Sequence, residues 1–366
     1  MVTERGAEPL RGTCLGQLVD AVVGIDTHRD THQVEIALPT GAPIAVCQIG
    51  NDSAGFAALV AWIAAHTPGP RLVVAIEGTR SYGIGVARAL AAAGLTVLEC
   101  EQPSRKARRG RGKSDAIDAH HAVVTALALD ASRLPTPRAD GDREALRILL
   151  GARDEMTTAS TAQTNRLRAL LLAGDDADRD RARDTLAADT LKTLIRRRQP
   201  RDADRAAVVR HAEIRRLAVA LRDAQRALAA NKAQLAAIVA DLVPGLLDRR
   251  GIGPVTAAGV IVAFSHPGRC RTDAAFAALA GTCPVEASSG RTTRHRLNRG
   301  GDRALNAAIH TIAQTRMRCC DRTRAYVAKR TAEGKTHREI RRCLKRYITR
   351  ELYRTLTTDM KTPAAA

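Results

Sequence analysis

The sequence predicts a mixed α/β domain at the front of the chain, a long helical arm behind it, and a mainly helical rear. Three observations lead there. Short apolar runs bounded by turn residues fill the stretch before residue 101, apolar residues three and four apart dominate 142–243, and a glycine-punctuated helical pattern follows.

From Val19 the order reads strand, strand, strand, helix, strand, helix, strand, helix. Val22 to Ile25 is a short buried strand; Gln33 to Leu38 alternates, and Ile44 to Ile49 follows a Pro-Thr-Gly turn as the next strand of a meander. Residues 53–66 carry helical spacing, Arg71 to Ile76 (RLVVAI) is a buried strand, 82–93 an Ala-rich helix closed by Gly94, and Thr96 to Glu101 a further strand. A helix capped by Ser114 runs to about Asp130. This order matches a ribonuclease H-like α/β fold.

Long helices are expected between Asp142 and Val243, as an antiparallel arm with a charged tip near 174–205. On the second helix Ile214, Leu217, Leu221, Ala224, Leu228, Asn231, Leu235, Ile238 and Leu242 form a coiled-coil seam. Asn231 in that seam either fixes register and partner number or sits at its edge. Pro244-Gly245 ends the arm. Arg249 to Val262 (RRGIGPVTAAGVIV) has the Gly-Ile-Gly-Pro turn of a helix-hairpin-helix, whose backbone amides can meet a phosphate. Lys335 to Arg350 carries seven basic residues to one acid on a further helix. The expected division is a loose leader over 1–18, then 19–140, 141–243, 244–334, and a basic helix and tail over 335–366.

Charge points to the partner. The chain has 58 Lys+Arg against 38 Asp+Glu, a net +20, which exceeds what solubility needs and implies a polyanion. Nucleic acid fits better than a membrane surface: no apolar run approaches the ~20 residues that span a bilayer, and the basic residues recur along the whole chain. With 2% aromatic residues, the core must come from Ala, Leu and Val. The eight cysteines are scattered without metal-ligand spacing, and the N-terminus does not read as a signal peptide, so reduced thiols and a cytoplasmic, nucleoid-associated protein are expected.

Four acids stand where a carboxylate metal nuclease needs them. Asp26 ends the first strand, Glu77 the fourth, and Asp115 and Asp118, three apart on the next helix, project from one face toward that sheet edge. Mg²⁺ is a hard cation that takes carboxylate oxygens and keeps waters; two ions can stabilise the attacking and leaving oxygens of a phosphodiester displacement, and Mn²⁺ can substitute. His28, His32, His120 and His121 lie near and read as substrate contacts or packing. The loop before the helix, Gln102 to Lys113, offers Arg105, Lys106, Arg108, Arg109, Arg111 and Lys113 to phosphates. Further on, CPVEASSG at 283–290 leads into Arg291, Arg294, Arg296, Arg299 and Arg303. A serine hydroxyl there can act as a nucleophile, with guanidinium groups neutralising the charge that develops.

At this point the sequence resembles the DEDD transposases of insertion sequence family one hundred and ten, also called bridge recombinases. The resemblance rests on VVGIDTHRDTH at 22–32, VVAIEGTRSYG at 73–83, GKSDAIDAHHAV at 112–123, RRGIGPVTAAGVI at 249–261 and FAALAGTCPVEASSGRTTRHRLNRGGDRALNAAI at 276–309. It implies a RuvC-like domain whose four acids match Asp26, Glu77, Asp115 and Asp118, and a transposase domain whose catalytic serine matches Ser289, with Ser288 the adjacent alternative. It also implies donor and target DNA as substrates, a structured bridge RNA as guide, a transient phosphoserine link, and a homo-oligomer, dimer or tetramer. The competing reading is a RuvC-like structure-specific endonuclease in which water attacks.

Overall fold

The computed structural model describes residues 12–100, 115–131, 134–199, 204–267, 269–288, 295, 296, 298 and 300–360, with the side chains of 115–117 outside that description. Contacts divide the chain into two units: Met1–Glu144 with Ser265–Arg271, and Ala145–Phe264 with Thr272–Ala366.

The first unit is built on a five-stranded mixed sheet. Its elements are β1 (Ala21–Thr27), β2 (Thr31–Ala37), β3 (Pro43–Gly50), α1 (Ser53–His66), β4 (Leu72–Glu77), α2 (Ile84–Ala92), β5 (Thr96–Cys100) and α3 (Asp115–Leu127). The order across the sheet is β3-β2-β1-β4-β5; β1, β2 and β3 form an antiparallel meander, and β4 and β5 run parallel to β1. A central strand covered on both faces needs apolar residues without alternation, and AVVGI of β1 supplies them. One face packs Val23, Ile25, Val74 and Ile76 against Leu59 and Ile63 of α1 and Val86 and Leu90 of α2. The other packs Val22, Ala75, Leu98 and Cys100 against Ala122, Val123 and Ala126 of α3. The helix expected at 53–66 spans those residues, with Asp52 as its N-cap accepting from the Gly55 amide at 2.8 Å.

Gly24 sets how closely α3 approaches. A Cβ there would lie 2.3 Å from the Ala119 carbonyl oxygen and 2.6 Å from Val123 Cγ2, so glycine is required by space rather than by backbone angle. Gly24→Ala should push α3 off the sheet and cost about 1–3 kcal/mol, the usual size of an overpacking penalty. Equilibrium urea unfolding checks this; a midpoint equal to that of the parent would contradict the packing described.

In the second unit, α4 (Gly141–Leu172, its first turn counted with the first unit) and α7 (Arg205–Leu242) are the long helices. The region expected as a charged tip instead holds two short helices, α5 (Asp176–Arg183) and α6 (Ala188–Arg196), over a small core of Leu171, Leu186, Leu191, Leu194, Ile214 and Leu217. Charge dominates the composition of 174–205, yet Leu191 and Leu194, three apart on α6, and Leu186 just before that helix are enough to fold it against its neighbours. Along α7 the expected stripe is buried at Ile214, Leu217, Leu221, Asn231, Leu235 and Leu242; Val239, not Ile238, is the buried residue near its end. Asn231 is interior rather than peripheral: its amide donates to the Leu149 carbonyl at 2.9 Å and so ties α7 to α4.

Beyond α7 come α8 (Pro254–Phe264), α9 (Asp273–Leu279), the two-residue strands β6 (Val285–Glu286) and β7 (His295–Arg296), α10 (Arg303–Cys319), α11 (Asp321–Ala332) and α12 (His337–Asp359). Pro254 opens α8, where its missing amide costs nothing, and the left-handed Gly251 (φ 79°) turns the chain into it. Phe264 packs edge to face with Phe276 and with Tyr353, which are tilted against each other, the three ring centroids lying 5.6–6.2 Å apart. No disulfide joins the eight cysteines, and among the described residues no helix is long and apolar enough to cross a membrane.

Candidate active site

Asp26 is the penultimate residue of β1 and Glu77 the last of β4. The parallel register pairs Ile25 with Ile76, so the next residues along, Asp26 and Glu77, stand side by side on neighbouring strands. Ile25 and Ile76 face α1 and α2; by the two-residue alternation of strands, Asp26 and Glu77 face α3. Both are only 6% exposed.

The helix reaches the same place from the other side. Leu127, near its end, meets Gly16 beside the start of β1, whereas Ala119 meets Gly24, so α3 runs back along β1 with its N-terminus toward Asp26. Asp118 immediately precedes Ala119, and the backbone of Asp115 lies about 4.5 Å further on at about 1.5 Å per residue. Asp26 lies two residues past Gly24, about 7 Å along the strand. Backbone positions of all four expected acids therefore gather at one end of the β1–α3 layer. Among the described residues no three His, Cys, Asp or Glu side chains close into a metal-binding set; the Asp115 side chain lies outside those residues.

Two nearly buried carboxylates side by side repel one another and lose hydration, an arrangement tolerated where a cation neutralises both. His28 Nε2 lies 3.0 Å from Asp26 Oδ2. Hard carboxylate oxygens are the donor set that Mg²⁺ and Mn²⁺ take, so the residues present fit a divalent ion. Cys100, opposite Glu77 across β4 and β5, has its thiol pushed up to about 12 by burial and by the Glu77 and Glu99 carboxylates, and is inert.

Of the four histidines, His28 touches an expected ligand and His120 holds Glu35, Nδ1 to Oε1 at 2.7 Å. His32 is core packing, fully buried and stacked on Phe56 at 6.1 Å. Glu35 escaped the sequence reading: on β2 it pairs with Gly24 of β1, so it is a third buried carboxylate on the α3 face. An isolated Glu inside the apolar run VEIA was the available signal. Also unforeseen was the buried pair of Glu99 and Arg138, in which the Arg138 amide and Nε donate to the carboxylate at 3.1 and 3.0 Å. Arg80, in the turn after Glu77, adds a contact to Glu99 at 3.4 Å. Burial raises the Glu99 carboxyl, but these guanidinium groups outweigh it and hold the group below its ordinary range. Arg143 nearby is pushed down to about 10 by burial and then by Arg138 and Arg80.

In the second unit, Ser288 is exposed two residues after β6, and Arg296 is exposed on β7, which pairs with β6 antiparallel. Ser289, Arg291, Arg294 and Arg299 fall outside the described residues, as do Ser114 and the whole basic segment with Arg105, Lys106, Arg108, Arg109, Arg111 and Lys113. Pro284, His295 and Arg296 line a cleft of about 720 Å³ whose other wall is Lys335, just before α12, and Arg342, Lys345, Arg346 and Arg350 of that helix. A second cleft, about 1060 Å³, lies between the Arg249-Arg250 turn, the α10–α11 corner and α12. Six arginines and two carboxylates line it.

Residues 23–173 match the family model for IS110-type DEDD transposases, described as a transposase, and residues 245–328 match a second, described as transposase, IS116/IS110/IS902 family. No curated protein matches the chain. The first match spans the sheet, α3 and α4 with all four acids, and the second spans the clefts' turn, β6, β7 and α10. The two matches follow one another in the order of a single protein and together cover well over half of it: the chain belongs to the IS110 family of DEDD transposases and is a DNA transposase.

Proposed function

We propose that the chain cuts and rejoins DNA strands with a divalent-cation centre at Asp26, Glu77, Asp115 and Asp118 and a serine nucleophile, Ser289 or its neighbour Ser288. The observation that carries this reading is the pair of buried, adjacent carboxylates at the ends of β1 and β4, facing the helix that bears the other two acids. The strand order and mixed pairing support a ribonuclease H-like, RuvC-type front domain over 19–140. The helical stretch 141–243 serves as a coiled-coil arm for assembly into a dimer or tetramer. Residues 244–334 form the transposase domain with its helix-hairpin-helix, and 335–366 the basic helix and tail.

In the proposed step the serine Oγ forms a bond to the scissile phosphorus and the bond from phosphorus to one deoxyribose oxygen breaks, the departing oxygen taking up a proton. The bound cation, Mg²⁺ in this reading, would supply charge neutralisation at the phosphate. Arginines near the serine, Arg296 among them, stabilise the anionic transition state by charge-assisted hydrogen bonds. The choice of donor and target DNA is assigned to a bridge RNA, consistent with the net charge of +20.

Denaturing electrophoresis of reactions on labelled DNA tests the serine. A covalent protein–DNA adduct is expected from the parent and from one of the two variants Ser288→Ala and Ser289→Ala, and is lost from the other. Cleavage with no adduct in any of the three would identify water as the nucleophile and leave a structure-specific endonuclease.

A further inference from the structure

Aromatic side chains are scarce here: three Phe, one Trp and four Tyr in 366 residues. In the second unit Phe264, Phe276 and Tyr353 are used up in the core. Tyr347 is not: it is 56% exposed on α12, while Ile340, Leu344, Ile348 and Leu352 of that helix form its buried stripe. Its ring meets Tyr326 of α11 edge to face, centroids 5.9 Å apart at 87°, and the Arg330 guanidinium lies 6.0 Å from the Tyr326 ring centre. The two rings therefore hold one another in a fixed orientation at the surface.

Tyr347 lines both basic clefts, and so does Arg350. It stands on the ridge where the cleft beside β6 and β7 meets the cleft beside the Arg249-Arg250 turn. A single exposed ring is ordinary on a protein surface; what sets this one apart is its place between two basic clefts in an orientation fixed by Tyr326. A polyanion moving from one cleft to the other must pass over it, and the arginines on each side supply phosphate contacts. A duplex keeps its bases stacked on one another and offers them only at its ends. A single strand exposes base faces, and stacking on a tyrosine is the contact such a face makes without regard to sequence.

We propose that Tyr347, braced by Tyr326, is a stacking platform for an unpaired base of the DNA strand whose phosphates run through the two clefts. DNA is favoured over RNA because the first cleft is walled by the segments flanking Ser288; the inference thus rests on the serine reading above. It goes beyond that reading by assigning a base-binding position and the single-stranded state of the DNA bound there.

The test uses the full chain carrying Ser288→Ala and Ser289→Ala together, so that binding is measured without cleavage. The probe is a single-stranded oligodeoxynucleotide with one 2-aminopurine, whose fluorescence falls when the base stacks. Adding Tyr347→Ala should weaken binding about tenfold and remove the quenching, whereas Tyr347→Phe should stay within about twofold of the parent. Blunt duplex of the same sequence should bind Tyr347→Ala and its parent alike. Unchanged single-strand affinity with Tyr347→Ala, an equal loss on duplex, or RNA of the same sequence bound about tenfold more tightly than DNA would each overturn the proposal. Adduct formation by chains with intact serines is scored separately. Quenching without any adduct would remove the serine and keep the platform, and an adduct without quenching would do the reverse.

Discussion

Asp26→Asn is expected to lower metal-dependent DNA cleavage by about a thousandfold, a loss that corresponds to several kcal/mol of charge stabilisation at the transferred phosphate. The substitution keeps the shape of the side chain and removes one of two adjacent buried anions. It therefore has a second signature. Without divalent cations, the variant should unfold at a temperature no lower than the parent, because the repulsion between Asp26 and Glu77 is relieved. Added Mg²⁺ should raise the melting temperature of the parent more than that of the variant, since a ligand that binds only the folded state stabilises it. Single-turnover cleavage and thermal melts with and without Mg²⁺ measure both effects. A cleavage rate within about tenfold of the parent would remove Asp26 from the chemistry.

The largest expected effect on stability lies elsewhere, at the Glu99–Arg138 pair. Arg138→Ala should cost about 3–5 kcal/mol, the usual penalty for stranding one charge of a buried pair. With side chains 8% and 6% exposed, neither partner can recover its hydration by turning outward. Because the folded-state carboxyl of Glu99 titrates below its ordinary range, the pair stabilises above that range and loses its contribution as pH falls through the lowered value. Arg138→Ala should accordingly flatten the acid limb of the stability curve. Replacing both partners, Glu99→Gln with Arg138→Met, should recover most of the loss. Urea midpoints across acidic to neutral pH decide it; a single-variant loss below about 1 kcal/mol would mean that the pair is solvated.

Much of the front half was legible because local chemistry and tertiary position agree there. The runs around Val23, Val74 and Val97 are strands in any context that buries them, and Asp26 and Glu77 stand out as acids at the ends of such runs. The spacing of Asp115 and Asp118 likewise needs only a helix. Glu35 was harder to see, since a Glu inside a strand ordinarily points to water and its burial depends on His120, 85 positions away. Glu99 and Arg138 posed the same difficulty: each looks like an exposed charge until β5 and the segment before α4 are brought together. Leu186, between α5 and α6, and Leu191 and Leu194 of α6 were hidden by the density of arginines and aspartates around them. The stripe on α7, by contrast, was read at six of its nine positions; Ala224 and Leu228 are only half-buried, and Val239 rather than Ile238 turns inward near the end.

The left-handed Ser265, φ 71°, opens a short stretch through Arg271 that belongs with residues from the opposite end of the message. His266 and Arg269 of that stretch lie with Glu99, Cys100 and Arg138 around one small cavity, so they are part of its lining. A gene truncated after codon 144 would encode every strand of the sheet and still lack a piece of its wall. Modular recombination of halves from related elements thus has to exchange at three seams rather than one.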